Sequence, residues 1–265
     1  MASSASPASD LAEKWRGAGI RSGDVLLIHS DTRRTIRNAL KSKIRLTPDI
    51  LVNSFLEAVG ETGTVLFPLF NFDFTKGIPF DIKTTPSQMG AMTEAARLRP
   101  DAVRTGHPIY SFAVIGAKAD LFSDVDNRSG YGADSPFGIL RELNGTIASL
   151  DLPDQNSMTF YHHVEEMCEV DYRYFKTFTG DYTDINDGIS ARSYDLFVRD
   201  IEKGVLTHVD PAGELMWDAG LYSGDRPKTG SGLRTINANA MFDFVSDIIT
   251  SGKALDTLYK VNLPT

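Results

Sequence analysis

His162 is the side chain best placed along this sequence for acid–base work. It lies in the run Asn156-Ser157-Met158-Thr159-Phe160-Tyr161-His162-His163-Val164-Glu165-Glu166, where polar residues lead into a helix carrying imidazole and carboxylate one turn apart. Residues three or four apart on a helix share a face, so His162 can meet Glu165 or Glu166. A carboxylate that holds an imidazole in one tautomer makes a general base near neutral pH. A solvated helix with a chance histidine would read the same locally, so the decision rests on the other segments.

Four of these stand out. His29-Ser30-Asp31-Thr32 closes the carboxyl end of a strand, the edge at which open α/β sheets bind ligands. Thr85-Pro86-Ser87-Gln88-Met89-Gly90-Ala91-Met92-Thr93-Glu94, just after Phe80-Asp81, predicts a helix opening at Pro86. The free N–H groups at its start could hold an anion, with Glu94 two turns in. Arg104-Thr105-Gly106-His107-Pro108-Ile109-Tyr110-Ser111-Phe112 is a turn running into a strand. Tyr131-Gly132-Ala133-Asp134-Ser135-Pro136-Phe137-Gly138 is a capped helix start. Each alone is also ordinary capping and turn grammar.

In this order, and with the His162 helix, the segments resemble the aminoglycoside 3-N-acetyltransferase family, the antibiotic N-acetyltransferases whose fold is unrelated to the histone-type enzymes. The matching stretches run from Gly23 to Glu166; beyond them only Lys176-x-Phe178 and the closing helix match, and loosely. The resemblance implies transfer of an acetyl group from acetyl-CoA to a primary amine on a sugar-like ring. It puts the family's helix histidine on His162, the neighbouring acid on Glu165 and the acid of the Met-Gly helix on Glu94. It assigns coenzyme contacts to the segment after the first strand, His29, Ser30, Asp31 and Thr32, and to Asp134 and Ser135. An amine protonated at neutral pH becomes a nucleophile only when a base removes that proton, which His162 could do directly in a ternary complex. A backbone N–H or a hydroxyl such as Ser30 or Thr32 would then serve the developing oxyanion.

The chain also departs from the family. Asp31-Thr32 stands where many members have a second serine, and the segment from Arg33 to Lys43 is basic and lacks the usual glycine. Its cations suit a coenzyme or nucleotide phosphate, or simply a solvated helix. Leu150–Gln155 likewise has no glycine. Asn71–Gly77 looks like members associated with surface-polysaccharide amino sugars. The acceptor therefore stays open between an aminoglycoside and a nucleotide-linked amino sugar. A protein that binds CoA or a sugar without turnover is the alternative of another class.

Two other chemistries are weaker. Cys168 lies six positions after His162, well apart from it in angle and height on a helix, and suits a buried structural thiol better than a nucleophile. The five histidines show no compact zinc spacing, so no metal is expected; His162 with Glu166 and Glu169 is the one divalent-ion set to weigh.

These residues need a scaffold, and 265 residues can bury a substantial core. The net charge of −8 argues against a nucleic-acid partner and suits a cationic small-molecule amine. A single cysteine permits no intrachain disulfide, which makes a reducing cytoplasm the default. The small polar start lacks the features of a signal peptide, and no apolar run is long enough for a membrane span. Apolar strands at 25–28, 64–70, 111–116 and 146–150 alternate with helices, and an antiparallel pattern follows at 172–179 and 191–199. The expected fold is α/β, a mixed central sheet with helices on both faces plus an antiparallel C-terminal portion. Residues 1–10 are expected as a flexible leader and 11–265 as a single domain, with a homodimer allowed.

Overall fold

The computed structural model describes residues 6–262. In chain order the elements are α1 (Pro7–Gly17), β1 (Val25–Ser30), α2 (Arg33–Lys41), α3 (Pro48–Val59), β2 (Thr64–Pro68), β3 (Phe80–Asp81), α4 (Ala91–Arg97), β4 (Val103–Arg104), β5 (Phe112–Gly116), α5 (Pro136–Glu142) and β6 (Thr146–Leu150). They continue with α6 (Asp154–Ser157), α7 (Phe160–Met167), β7 (Arg173–Thr183), β8 (Ile189–Arg199), β9 (Val205–Thr207), α8 (Asp210–Asp218), β10 (Ser223–Gly224), β11 (Leu233–Asn237), α9 (Ala238–Thr250) and β12 (Tyr259–Val261).

β1 is apolar at every position from Val25 to Ile28 because both faces of its sheet are covered. The sheet runs β10-β11-β6-β1-β2-β5-β4, with β1 parallel to β6 and β2 and the flanking strands antiparallel. Leu26 and Ile28 pack into a layer with Trp15 of α1, Phe55 of α3 and Met92 of α4. Val25 and Leu27 point the other way, into a cluster with Phe137 of α5, Val164 of α7 and Met241 of α9. The chain leaves β1 toward β2 on one side and later returns to β6 on the other. The connections after β1 and β6 therefore diverge, and the crevice between them is the usual ligand edge of such sheets.

The antiparallel portion is a long hairpin. β7 and β8 pair from Arg173↔Arg199 to Thr183↔Ile189, and the short β3 joins β7 in parallel. Among the described residues no helix is long and apolar enough to cross a membrane.

Two expectations change. Of the proposed leader, residues 1–5 lie outside the described residues, but α1 already begins at Pro7, with Ser6 accepting from the Ser9 N–H at 3.1 Å. Ala8, Leu11 and Trp15 are buried, so apolar contact with the core holds this segment in the fold. The helix expected from Pro86 starts only at Ala91. Its first residues are drawn into tertiary bonds instead: Gln88 N–H donates to the Phe70 carbonyl at 3.1 Å and Asn71 Nδ2 to that of Pro86 at 3.0 Å. Gly90, at φ 110°, could not continue a helix, so no helix N-terminus faces an anion at Pro86. The basic segment from Arg33 folds as α2, with none of its residues buried. Arg34 Nε nevertheless grips Asp151 at 2.8 Å, and its Nη groups reach the carbonyls of Thr229 and Gly230.

His29, His107 and His163 are all buried, and burial pushes the first two imidazoles down to about 3 and His163 down to about 4. They stay neutral in the fold, while the unfolded chain protonates them near 6.5. The unfolded state thus binds more protons below that pH. Stability is full above about pH 6.5 and falls as pH drops toward 4, by up to about 1.4 kcal/mol per pH unit for each histidine. Calorimetric melting should show Tm falling steadily from pH 6.5 to 5, and a flat Tm there would refute this account.

Candidate active site

α6 and α7 follow β6 directly, which puts α7 at the carboxyl edge of the sheet. The i, i+3 spacing within α7 brings His162 Nδ1 to 2.9 Å from Glu165 Oε2. The Glu165 side chain is 1 % exposed, whereas His162 keeps 21 %. Nε2 of His162 has no protein partner among the described residues and is not sealed from solvent, unlike Nε2 of His29, His107 and His163. Arg173, the first residue of β7, sets its Nε 2.8 Å from the same Glu165 oxygen.

Burial alone would raise the Glu165 carboxyl, but the Arg173 guanidinium, then the His162 hydrogen bond, more than offset it and hold the acid below its ordinary value. Burial and the Arg173 charge depress His162, against the opposing pull of Glu165. The imidazole is therefore neutral at pH 7, with Nδ1–H directed at Glu165 and the lone pair of Nε2 outward. That is the form of a general base.

The turn of Tyr131–Ser135 wraps this helix. The Tyr131 ring meets His162 edge-on at 5.2 Å, and His163 Nδ1 donates to the Tyr131 carbonyl at 2.7 Å. Ser129 Oγ donates to Glu166 at 2.7 Å. Burial pushes the Glu166 carboxyl up to about 6, the Ser129 bond opposing and the Asp134 and Asp195 charges assisting. Ser135 caps α5 and is fully buried, while Asp134 is exposed. Gly138 is obligatory at that start: a Cβ there would lie 1.9 Å from the Ala133 carbonyl oxygen.

Ser30, Asp31 and Thr32 line a crevice of about 380 Å³ with Arg33, Met89, Met92 and Leu152. Asp31 is engaged by Arg33, through Nε at 2.8 Å, which lowers its carboxyl. His29 lies buried on β1, facing Phe70 at 6.2 Å. Ring contacts Phe70–Tyr110 at 4.5 Å and Tyr110–Tyr131 at 4.8 Å link it to the His162 site. The fold thus gathers the strand-end residues and the histidine helix along one sheet edge.

Glu94 is the departure. It accepts from the Ser87 N–H at 2.8 Å and from Arg97 Nε at 2.9 Å, with no bond to His162. Of the acids put near the imidazole by spacing or resemblance, Glu165 is the one in contact, while Glu166 goes to Ser129 and Glu94 to Arg97. The reason is local, since Arg97 lies one turn along the same helix and takes the Glu94 carboxylate. Sequence reasoning missed Arg173 because it sits on a different element, and no spacing rule links a strand's first residue to a helix face.

Cys168 ends α7, with Sγ 3.6 Å from Ser246 Oγ, and has no place beside His162. Cys168→Ser should keep wild-type turnover; a trapped acyl adduct at Cys168 in intact-mass spectra would reverse that view. Among the described residues no group of three or more His, Cys, Asp or Glu side chains could hold a metal ion.

This architecture is that of the aminoglycoside acetyltransferase structures. AAC-IIIb in binary complex with CoASH aligns over 97 % of this chain and 98 % of its own, at 20 % identity and a TM-score of 0.76. Aminoglycoside acetyltransferase AAC(3)-Xa aligns over 93 % and 92 %, at 23 % identity and a TM-score of 0.75. The chain belongs to the aminoglycoside 3-N-acetyltransferase family, whose profile matches residues 27–249. Aminoglycoside N(3)-acetyltransferase VII of Streptomyces paromomycinus is 26 % identical over 182 residues, 60 % of each chain. Aminoglycoside N(3)-acetyltransferase IX of Micromonospora chalcea is 25 % identical over 183 residues, 60 % of this chain and 62 % of its own. The chain therefore matches about three-fifths of the length of these curated relatives.

Proposed function

We propose that the protein transfers an acetyl group from acetyl-CoA to a primary amine of an aminoglycoside or related amino sugar, with His162 as general base. The observation that carries this reading is the buried Glu165 carboxylate bonded to His162 Nδ1 while Nε2 stays open at the sheet edge. The names of the relatives point to the same acceptor class.

His162 Nε2 accepts a proton from the amine as its nitrogen bonds to the thioester carbonyl carbon. The carbon–sulfur bond breaks, and the proton passes to the departing thiolate. The crevice beside Ser30, Asp31 and Thr32 suits the coenzyme. Asp31 Oδ1 already accepts the Arg33 N–H at 3.0 Å, but Thr32 makes no side-chain cap on α2, so the N–H groups of Arg34 and Thr35 stay open to a polar ligand. Asp134 and Ser135 are proposed on the opposite wall, Ser135 chiefly by shaping the turn.

Arg33 and Arg34 already engage Asp31 and Asp151, which leaves fewer cations of the basic segment for a nucleotide diphosphate. This favours an aminoglycoside over a nucleotide-linked acceptor. The test is thiol release from acetyl-CoA against a panel of both acceptor classes, with His162→Ala as control. Turnover on aminoglycosides supports the reading. Turnover confined to nucleotide-linked sugars corrects the acceptor, and silence on both with CoA still bound overturns the activity.

A further inference from the structure

We propose that Arg173 is a positioning residue of this site: it holds Glu165 as a carboxylate aimed at His162, and so fixes which imidazole nitrogen carries the proton. The inference rests on the acyl-transfer reading for its catalytic consequence, though not for its structural content.

One oxygen, Glu165 Oε2, lies 2.9 Å from His162 Nδ1 and 2.8 Å from Arg173 Nε. Both side chains of the Glu165–Arg173 pair are nearly sealed from solvent, at 1 % and 5 % exposed. A carboxylate so buried, without a cation, would take up a proton. As a neutral acid, Glu165 could donate its O–H to Nδ1. The imidazole proton would then sit on Nε2, facing the amine with a donor where a base is needed. Arg173 prevents that inversion, because a guanidinium has no acceptor and favours the ionised acid.

Arg173 is itself held from the hairpin, through Nη1 donating to the Phe197 carbonyl at 3.0 Å. The charged and titratable groups facing this pair come from each neighbouring element. Tyr131 meets His162 from the turn, Arg173 and Arg199 act on it from β7 and β8, and Tyr172 faces Glu165. Of the two arginines, only Arg173 touches the carboxylate. No coenzyme or acceptor atom is needed to assign this role.

The experiment is nitrogen-15 NMR of the imidazoles in the intact protein, with kinetics beside it. In the wild type, His162 should show the Nδ1–H tautomer at pH 7; in Arg173→Met the population should move to Nε2–H. Arg173→Lys, which keeps the charge but loses the planar fork, should retain most of the wild-type tautomer and tests the idea if the methionine variant fails to fold. In kinetics, Arg173→Met should lower kcat about 10–100-fold with KM for both substrates little changed, by analogy with the loss seen when the partners that orient metal-bound histidines are removed. Combining it with Glu165→Gln should add little further loss. An unchanged tautomer and an unchanged kcat in a variant that merely melts earlier would overturn the proposal. If the wild type shows no turnover, the acyl-transfer reading fails while the tautomer still decides the role of Arg173.

Discussion

His162→Ala should lower kcat for acetyl transfer by about 10²–10⁴-fold, the usual contribution of a positioned general base. Binding of CoA should be nearly unchanged, because the crevice formed by Ser30, Asp31, Thr32 and Leu152 does not include this ring. The residual rate would come from holding acyl donor and amine together, which the substitution leaves intact. Stopped assays of thiol release and equilibrium CoA binding separate the two effects. Turnover like that of the wild type would sink the mechanism. The pH profile gives a second check. His162 lies below its ordinary value, chiefly by burial, and the base works only when neutral. kcat/KM should therefore hold as pH falls to 6.5 and decline only at more acid pH.

Asp154→Ala should destabilise the fold strongly. Asp154 Oδ1 accepts from Arg234 Nη2 at 2.8 Å, and Oδ2 accepts the hydroxyls of Tyr161 at 2.8 Å and Tyr222 at 2.7 Å. Arg234 is 1 % exposed at its side chain, so removing the acid leaves an unpaired cation in the core. Breaking a buried pair from one side costs about 3–5 kcal/mol. For a chain of this length that lowers Tm by roughly 10 °C. Urea denaturation measures it, and a loss under about 1 kcal/mol would show that the site relaxes or admits water. Asp154→Ala with Arg234→Met should recover part of the loss, since no charge then remains to be buried. The network also fixes Tyr161, the residue before His162, so this variant should lose activity as well as stability.

Much of the site was legible because it is local. His162 and Glu165 meet through helix periodicity alone, and Ser135-Pro136 announces the start of α5 through capping chemistry. The strand ending in His29-Ser30 is continuously apolar from Val25 to Ile28, which already implies a sheet covered on both faces. The misreadings are the places where distant groups override local grammar. Pro86 looks like a helix start, yet Phe70 and Asn71 claim the backbone around it. Glu94 stands at an inviting spot but belongs to Arg97. Residues 7–10 read as polar leader, yet they form the first turn of α1, with Ala8 buried.

The alternation of strands and helices, the sheet edge of the candidate site and the imidazole–carboxylate pair are written locally in the chain, because each depends on side chains a few residues apart. What depends on the three-dimensional fold is the approach of Arg173 to the same Glu165 oxygen and the grip of Arg34 on Asp151. Ion pairs between separate elements are set by where the sheet and hairpin bring them, and no spacing along the chain encodes a distance through space.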